Sequence, residues 1–185
     1  MACLVPAAIL MEHAGRADLL RSPRRGPEPL TVKGRLIYLR DQITLHKGNA
    51  RLTRGCHFED FVEHLNRRIF FWPGWNSSPI SYGLRHFEHY RDENPIILRV
   101  TFESLRRANP SAIPLFCRYN SGSPRCSYGK KSPRGPNTFV DAGRFTETPS
   151  KVVEVTFDTE IVLPGNTEFA ARPTGPWNPL LTAVS

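Results

Sequence analysis

Apolar residues recur along the chain in two periods, and the change from one to the other locates most of the elements. Phe58, Phe61, Val62 and Leu65 stand at i, i+3, i+4 and i+7, which puts them on one face of a helix. Ile69, Phe70, Phe71 and Trp72 follow as an apolar run ended by Pro73-Gly74. The run is too short for a helix and predicts a buried strand. Arg35 to Arg40 carries Leu36 and Tyr38 on one face and Ile37 and Leu39 on the other, the pattern of a strand covered on both sides. Ser78-Pro79 reads as a serine N-cap with proline at the first helical position, opening a helix with Ile80, Leu84 and Phe87 that runs to about Tyr90. Ile96 to Val100 predicts a strand after Asn94-Pro95. Thr101 then caps a short helix bearing Phe102 and Leu105, stopped at Asn109-Pro110.

Lys151 to Phe157 alternates with period two, Val153, Val155 and Phe157 on one face and Val152, Glu154 and Thr156 on the other. If the valine-rich face meets the core, Glu154 points away from it. A carboxylate in mid-strand among β-branched residues is disfavoured, which leaves a solvated edge or a cleft, and propensity favours the edge. Pro6 to Leu20 predicts one or two helical turns with Leu10, Leu19 and Leu20 available for packing and Gly15 weakening the middle. The organisation expected is an N-terminal helical segment and Pro/Arg-rich linker at 1–29, a single α+β domain at 30–164, and a Pro-rich tail at 165–185 with Trp177 to pin it.

At 185 residues with 39% hydrophobic content, the chain can bury one core. A net charge of +8 points to acidic partners such as nucleic acid, nucleotide phosphates or an anionic surface. The surplus gathers in a long loop from Arg118 to Val140, with Lys130, Lys131 and Arg134 and no acidic residue. Long loops inside compact domains are functional or disordered. Cys3, Cys56, Cys117 and Cys126 contain no C-x-x-C pair, so neither a zinc ribbon nor a dense disulfide framework fits, and a reduced, cytoplasmic chain is expected. The apolar run Ala2 to Leu10 has no basic residue before it and Glu12 and His13 soon after, unlike a secretory signal. No run approaches the roughly eighteen residues of a membrane span, so a soluble protein without a membrane partner is expected.

Other candidate chemistry is thin. His86 and His89 lie three apart on the predicted Pro79 to Tyr90 helix, without a carboxylate or cysteine partner placed by sequence. They read as exposed histidines, and no metal is expected. Cys56 and His57 are adjacent, and neighbours in sequence rarely face each other as a thiol dyad must. Glu154, Asp158 and Glu160 lack the E-x-K of metal-dependent nucleases, since Thr156 holds the third place. Neither common type of Gly-rich phosphate loop is present.

Taken in order, the segments Arg40-Asp41-Gln42, Leu65-Asn66 through Phe70-Phe71-Trp72, Asn120-Ser121-Gly122-Ser123, Pro133-Arg134-Gly135, Thr138-Phe139 and Glu154-Val155 resemble an uncharacterised bacterial family, a domain of unknown function, over about residues 30 to 163. That family is in turn similar to the ADP-ribosyltransferase superfamily, which includes toxins that modify thymidine in DNA. The resemblance implies a split, mostly antiparallel sheet with flanking helices around an NAD cleft. It implies Glu154 as the catalytic carboxylate, Arg40, Gln42, Asn120 and Ser121 around NAD, and Lys130, Lys131 and Arg134 toward an acceptor. The acceptor is a nucleic acid or a protein, and a toxin-like enzyme would have a neutralising partner.

Departure of nicotinamide builds positive charge on the ribose, which a carboxylate stabilises while holding the 2′-hydroxyl. An arginine such as Arg40 suits the pyrophosphate because its fork binds two oxygens at once. Superfamily members open with a strand bearing His or Arg followed by Ser or Thr. His13 is followed by Ala14 and Gly15, so a chain truncated at its N-terminus, or one whose start codon is misassigned, is expected. The alternative is a non-catalytic basic α+β module that binds nucleic acid or a protein through the same loop, using charge and the rings of Tyr119 and Tyr128.

Overall fold

The computed structural model describes residues 2–75, 78–124 and 132–180. A short strand, β1 (Cys3–Leu4), leads into a helix, α1 (Ala7–His13). A hairpin follows, β2 (Glu28–Val32) and β3 (Arg35–Leu39), with Lys33 and Gly34 both at positive φ (50° and 74°) as a two-residue hairpin turn requires. The apolar stripe read from sequence forms α2 (Phe58–Asn66), and the aromatic run after it forms β4 (Ile69–Phe71). Next come β5 (Gly74–Trp75), β6 (Ser78–Pro79), α3 (Ser81–Tyr90), β7 (Ile97–Arg99), α4 (Phe102–Ala108) and β8 (Leu115–Cys117). The chain continues through β9 (Val140–Asp141), β10 (Glu154–Phe157), β11 (Ile161–Val162), β12 (Glu168–Ala170) and β13 (Asn178–Pro179).

The class is mixed α+β, with helices around several small antiparallel sheets. The largest has the order β4-β10-β8-β9, so β10 is paired on both edges. Val155 faces Phe71 on one side and Glu154 faces Cys117 on the other. Directly opposed residues share a sheet face, and Cys117 lies in the core formed by Phe58, Phe61, Val62 and Leu65 of α2 with Leu45 and Phe139. Glu154 is therefore on the α2 side. Ile69 and Phe157 occupy the other face and pack with Leu105 of α4, Ala112 and Ile161. Covering both faces is what buries the strand carrying Glu154.

Four local expectations change in the folded chain. Leu36 and Tyr38 are 61% and 64% exposed, because β2 and β3 form a separate two-stranded sheet whose inner side alone, with Leu30 and Leu39, packs on Met11 and Leu19. Ser78 and Pro79 pair with β5 rather than starting α3, since the Ile80 N–H donates to the Pro73 carbonyl at 3.0 Å and helical geometry begins only at Ser81. Cys3 and Leu4 pair with Val162 and Ile161, tying the first residues to the far end of the domain. Part of the Pro-rich C-terminal stretch forms strands, with β12 between β7 and β13. There Arg99 bonds Glu168 at 2.7 Å and lies 4.1 Å over the ring of Trp177. The capping role of Thr101 holds, its hydroxyl accepting the Ser104 N–H at 3.2 Å. Among the described residues no helix is long and apolar enough to cross a membrane.

Candidate functional site

Glu154 is 3% exposed, which overturns the solvated-edge expectation: propensity could not show that β4 and β8 would flank its strand. Oε1 accepts the backbone N–H of Ser121 at 3.1 Å. Among the described residues, Oε2 and the Ser121 hydroxyl are both buried without a hydrogen-bond partner. Burial pushes the carboxyl up to about 7, against the opposing pull of the Ser121 hydroxyl and N–H, the Arg134 charge and the Cys117 thiol. The Cys117 thiol is itself raised, first by burial and then by the Glu154 charge, and it donates to the Tyr119 carbonyl at 3.0 Å.

Arg134 corrects a second expectation. It is fully buried rather than displayed on a basic loop, because its guanidinium is occupied by main-chain carbonyls. Nη2 donates to the Asn120 carbonyl at 2.9 Å and Nε to the Ser121 carbonyl at 3.3 Å; Nη1 reaches the Ser132 carbonyl. The guanidinium also lies 4.0 Å over the Tyr119 ring. Its backbone N–H donates to the Arg51 carbonyl, and its carbonyl accepts the Thr53 N–H, each at 2.8 Å. Tyr119 closes the arrangement through its hydroxyl, which donates to the Pro133 carbonyl at 3.0 Å. Gly135 allows this close approach: a Cβ there would overlap Thr53 Oγ1 and sit 3.1 Å from Thr53 Cβ. The Gly135 N–H donates to the Thr138 hydroxyl at 2.8 Å, which accounts for the threonine three residues on. Lys130, Lys131 and Tyr128 lie outside the described residues.

The candidates at the end of β3 belong to a different cluster. Asn66, buried at the end of α2, accepts at Oδ1 from Arg24 Nη1 at 2.9 Å and from Gln42 Nε2 at 3.1 Å, while its Nδ2 donates to the Leu20 carbonyl at 2.9 Å. Arg24, also buried, donates through Nε to the Arg40 carbonyl at 2.7 Å. Gln42 and Asn66 thus fasten the N-terminal segment to α2. The Arg40 side chain points elsewhere, pairing with Glu93 at 2.6 Å and lying 3.9 Å over the Tyr90 ring. The two clusters touch through Thr44, whose hydroxyl donates to the Gly122 carbonyl at 3.0 Å. Arg24 escaped the sequence reading because a Pro/Arg-rich stretch signals only a loop; Asn66, a polar residue closing an apolar helical stripe, carried a visible signal.

His86 is exposed, beside Trp72 and Tyr90 at ring separations of 5.7 and 4.9 Å. Among the described residues no group of three or more His, Cys, Asp or Glu side chains could hold a metal. A groove lined by Phe87, Glu88, Arg91, Ile96, Phe169 and Arg172 runs between α3 and the β12 segment, and Glu154, Ser121 and Arg134 do not line it.

Residues 2–164 match the model of a family of unknown function, DUF7002, and the chain belongs to that family. Neither the curated proteins nor the solved structures contain a match to it.

Proposed function

We propose that this chain carries out ADP-ribosyl transfer from NAD, with Glu154 as the reacting carboxylate. One observation carries the reading: a buried glutamate on the central strand of an antiparallel sheet, with one oxygen held by the Ser121 N–H and the other without a partner among the described residues. A bare buried acceptor costs stability, and a substrate hydroxyl would satisfy it. In the reaction the bond between ribose C1′ and the nicotinamide nitrogen breaks, and nicotinamide leaves with the electron pair. The acceptor nucleophile forms the new bond at C1′ and gives up its proton. Ionised Glu154 stabilises the positive charge that develops on the ribose and accepts a hydrogen bond from the 2′-hydroxyl. Held near pH 7, it is also poised to take the acceptor's proton.

At 3% exposure the carboxylate meets a ribose only when the residues over it move aside. Ser121 places its hydroxyl beside it, and Asn120 lies in the same turn. Arg40, exposed, paired with Glu93 and stacked on Tyr90 at the surface, is available to exchange Glu93 for a pyrophosphate. Gln42 is committed to Asn66 and the Arg24 backbone and supports the fold at that end. The surplus of positive charge suits an anionic acceptor, with Lys130 and Lys131 as its contacts.

The test is nicotinamide release from NAD by the purified chain, with and without DNA, RNA and cell extract, beside Glu154→Gln. The expected result is release that falls by at least about a hundredfold in the variant. Absence of release from both forms would overturn the enzyme reading in favour of a non-catalytic basic module, whose affinity for single strands should fall steeply with salt.

A further inference from the structure

We propose that Arg134 is the positioning residue of the Glu154 site: through the peptide unit between Asn120 and Ser121 it aims the Ser121 N–H at the carboxylate, without touching substrate itself. The geometry rests on one planar group. The Asn120 carbonyl and the Ser121 N–H belong to the same peptide plane. Arg134 Nη2 donates to that carbonyl at 2.9 Å, and Glu154 Oε1 accepts from that N–H at 3.1 Å. A guanidinium and a carboxylate thus hold the two ends of one peptide, each polarising the bond the other makes.

Arg134 Nε fixes the Ser121 carbonyl at 3.3 Å, so successive carbonyls are gripped by one rigid fork. The Tyr119 ring, 4.0 Å from the guanidinium carbon, supports its face. Lysine could supply the charge but not this two-point grip. The arginine is itself anchored, since its backbone is bonded to Arg51 and Thr53. Among the described residues, the groups that face the carboxylate are Ser121 from the turn, Cys117 from β8 and Arg134, with Arg118 and Tyr119 beside the thiol.

The significance for catalysis rests on Glu154 being the reacting group, but the linkage can be measured without NAD. Carboxyl carbon NMR of glutamate-labelled protein would follow the Glu154 titration in the wild type, Arg134→Lys and Arg134→Gln. The midpoint is expected to rise by about one pH unit or more in Arg134→Gln, since the anion loses a hydrogen bond and a nearby charge. Arg134→Lys should give a smaller rise. A midpoint unchanged in variants that still unfold cooperatively would overturn the proposal, because a purely structural arginine alters stability alone.

A second measurement needs no variant at position 134. In the wild type, the Ser121 amide and the Arg134 Nε resonances are expected to titrate with the Glu154 midpoint, and to stop doing so in Glu154→Gln. Arg134 resonances that ignore that midpoint would also sink the idea. Unmoved titrations in a protein that still releases nicotinamide would refute the positioning role alone. Linked titrations in a protein that releases none would refute only the transferase reading.

Discussion

Ser121 and Glu154, 33 positions apart in sequence, meet through a backbone N–H and a carboxylate oxygen 3.1 Å apart, and the second oxygen of that carboxylate has no partner among the described residues. One acceptor bond does not offset the loss of water around a buried anion, so the folded protein holds the Glu154 proton up to about pH 7, against an ordinary value of 4.5. Between those two values the folded chain binds a proton that the unfolded chain has released. The contribution of this group to stability is therefore largest below the lower value, declines as pH rises, and levels off above the upper one. The whole change amounts to about 3 kcal/mol. In urea unfolding, Glu154→Gln is expected to be as stable as the wild type or more so at pH 8, and to lose this part of the pH dependence.

Asn66 serves three segments at once, and its replacement by Ala should be costly. The change removes the partner of Arg24 Nη1, Gln42 Nε2 and the Leu20 carbonyl. A loss of about 3 kcal/mol in unfolding free energy is expected. Gln42→Ala, which removes a partner at the edge of the cluster, should cost only about 1 kcal/mol.

Gly135→Ala tests the close approach between the Arg134 segment and Thr53. Its φ of 170° is open to any residue, so the penalty is steric and comes from the Thr53 side chain. Overpacking of this kind costs about 2 kcal/mol. The double variant with Thr53→Ala should recover part of it, and a thermodynamic cycle should show coupling between the two positions. Additive effects would mean that the two residues do not meet.

Arg40→Ala separates ligand binding from folding. Its pair with Glu93 is exposed, and such pairs contribute less than about 1 kcal/mol. Stability should barely change, so a clear weakening of NAD binding in calorimetry would be a direct effect on the ligand. Unaltered NAD binding would remove Arg40 from the cofactor site.

Deletion of residues 165–185 should lower the unfolding midpoint. The cut removes the strand that covers β7, leaves Arg99 without Glu168 and Trp177, and opens the edge of β7 to water. A midpoint identical to that of the full chain would show that these strands contribute nothing to the stability of the rest.

The elements that rest on local periodicity were legible. The stripe of Phe58, Phe61, Val62 and Leu65 became α2, and the alternation through Glu154 became a strand. Partners that meet only after folding were not. Whether Glu154 lay at an edge depended on β4 and β8, more than thirty residues upstream, and no propensity carries that distance. Leu36 and Tyr38 alternated like a doubly covered strand, yet nothing in their spacing said that only one side of the hairpin would find a neighbour. Arg134 stood among Pro, Gly, Ser and Lys and read as a surface cation. Its burial became apparent only when the Asn120 and Ser121 carbonyls came within reach. Gln42 and Asn66 stand within the family-like motifs, and in the folded chain they fasten its segments together.

The Thr44 hydroxyl, bonded to the Gly122 carbonyl at 3.0 Å across 78 positions of sequence, places the two polar clusters in mechanical series. Slack at Asn66 would pass along the segment from Gln42 to Thr44 into the turn that carries Ser121. From there it would reach the carboxylate of Glu154, so a substitution far from that carboxylate can detune it without touching any residue beside it.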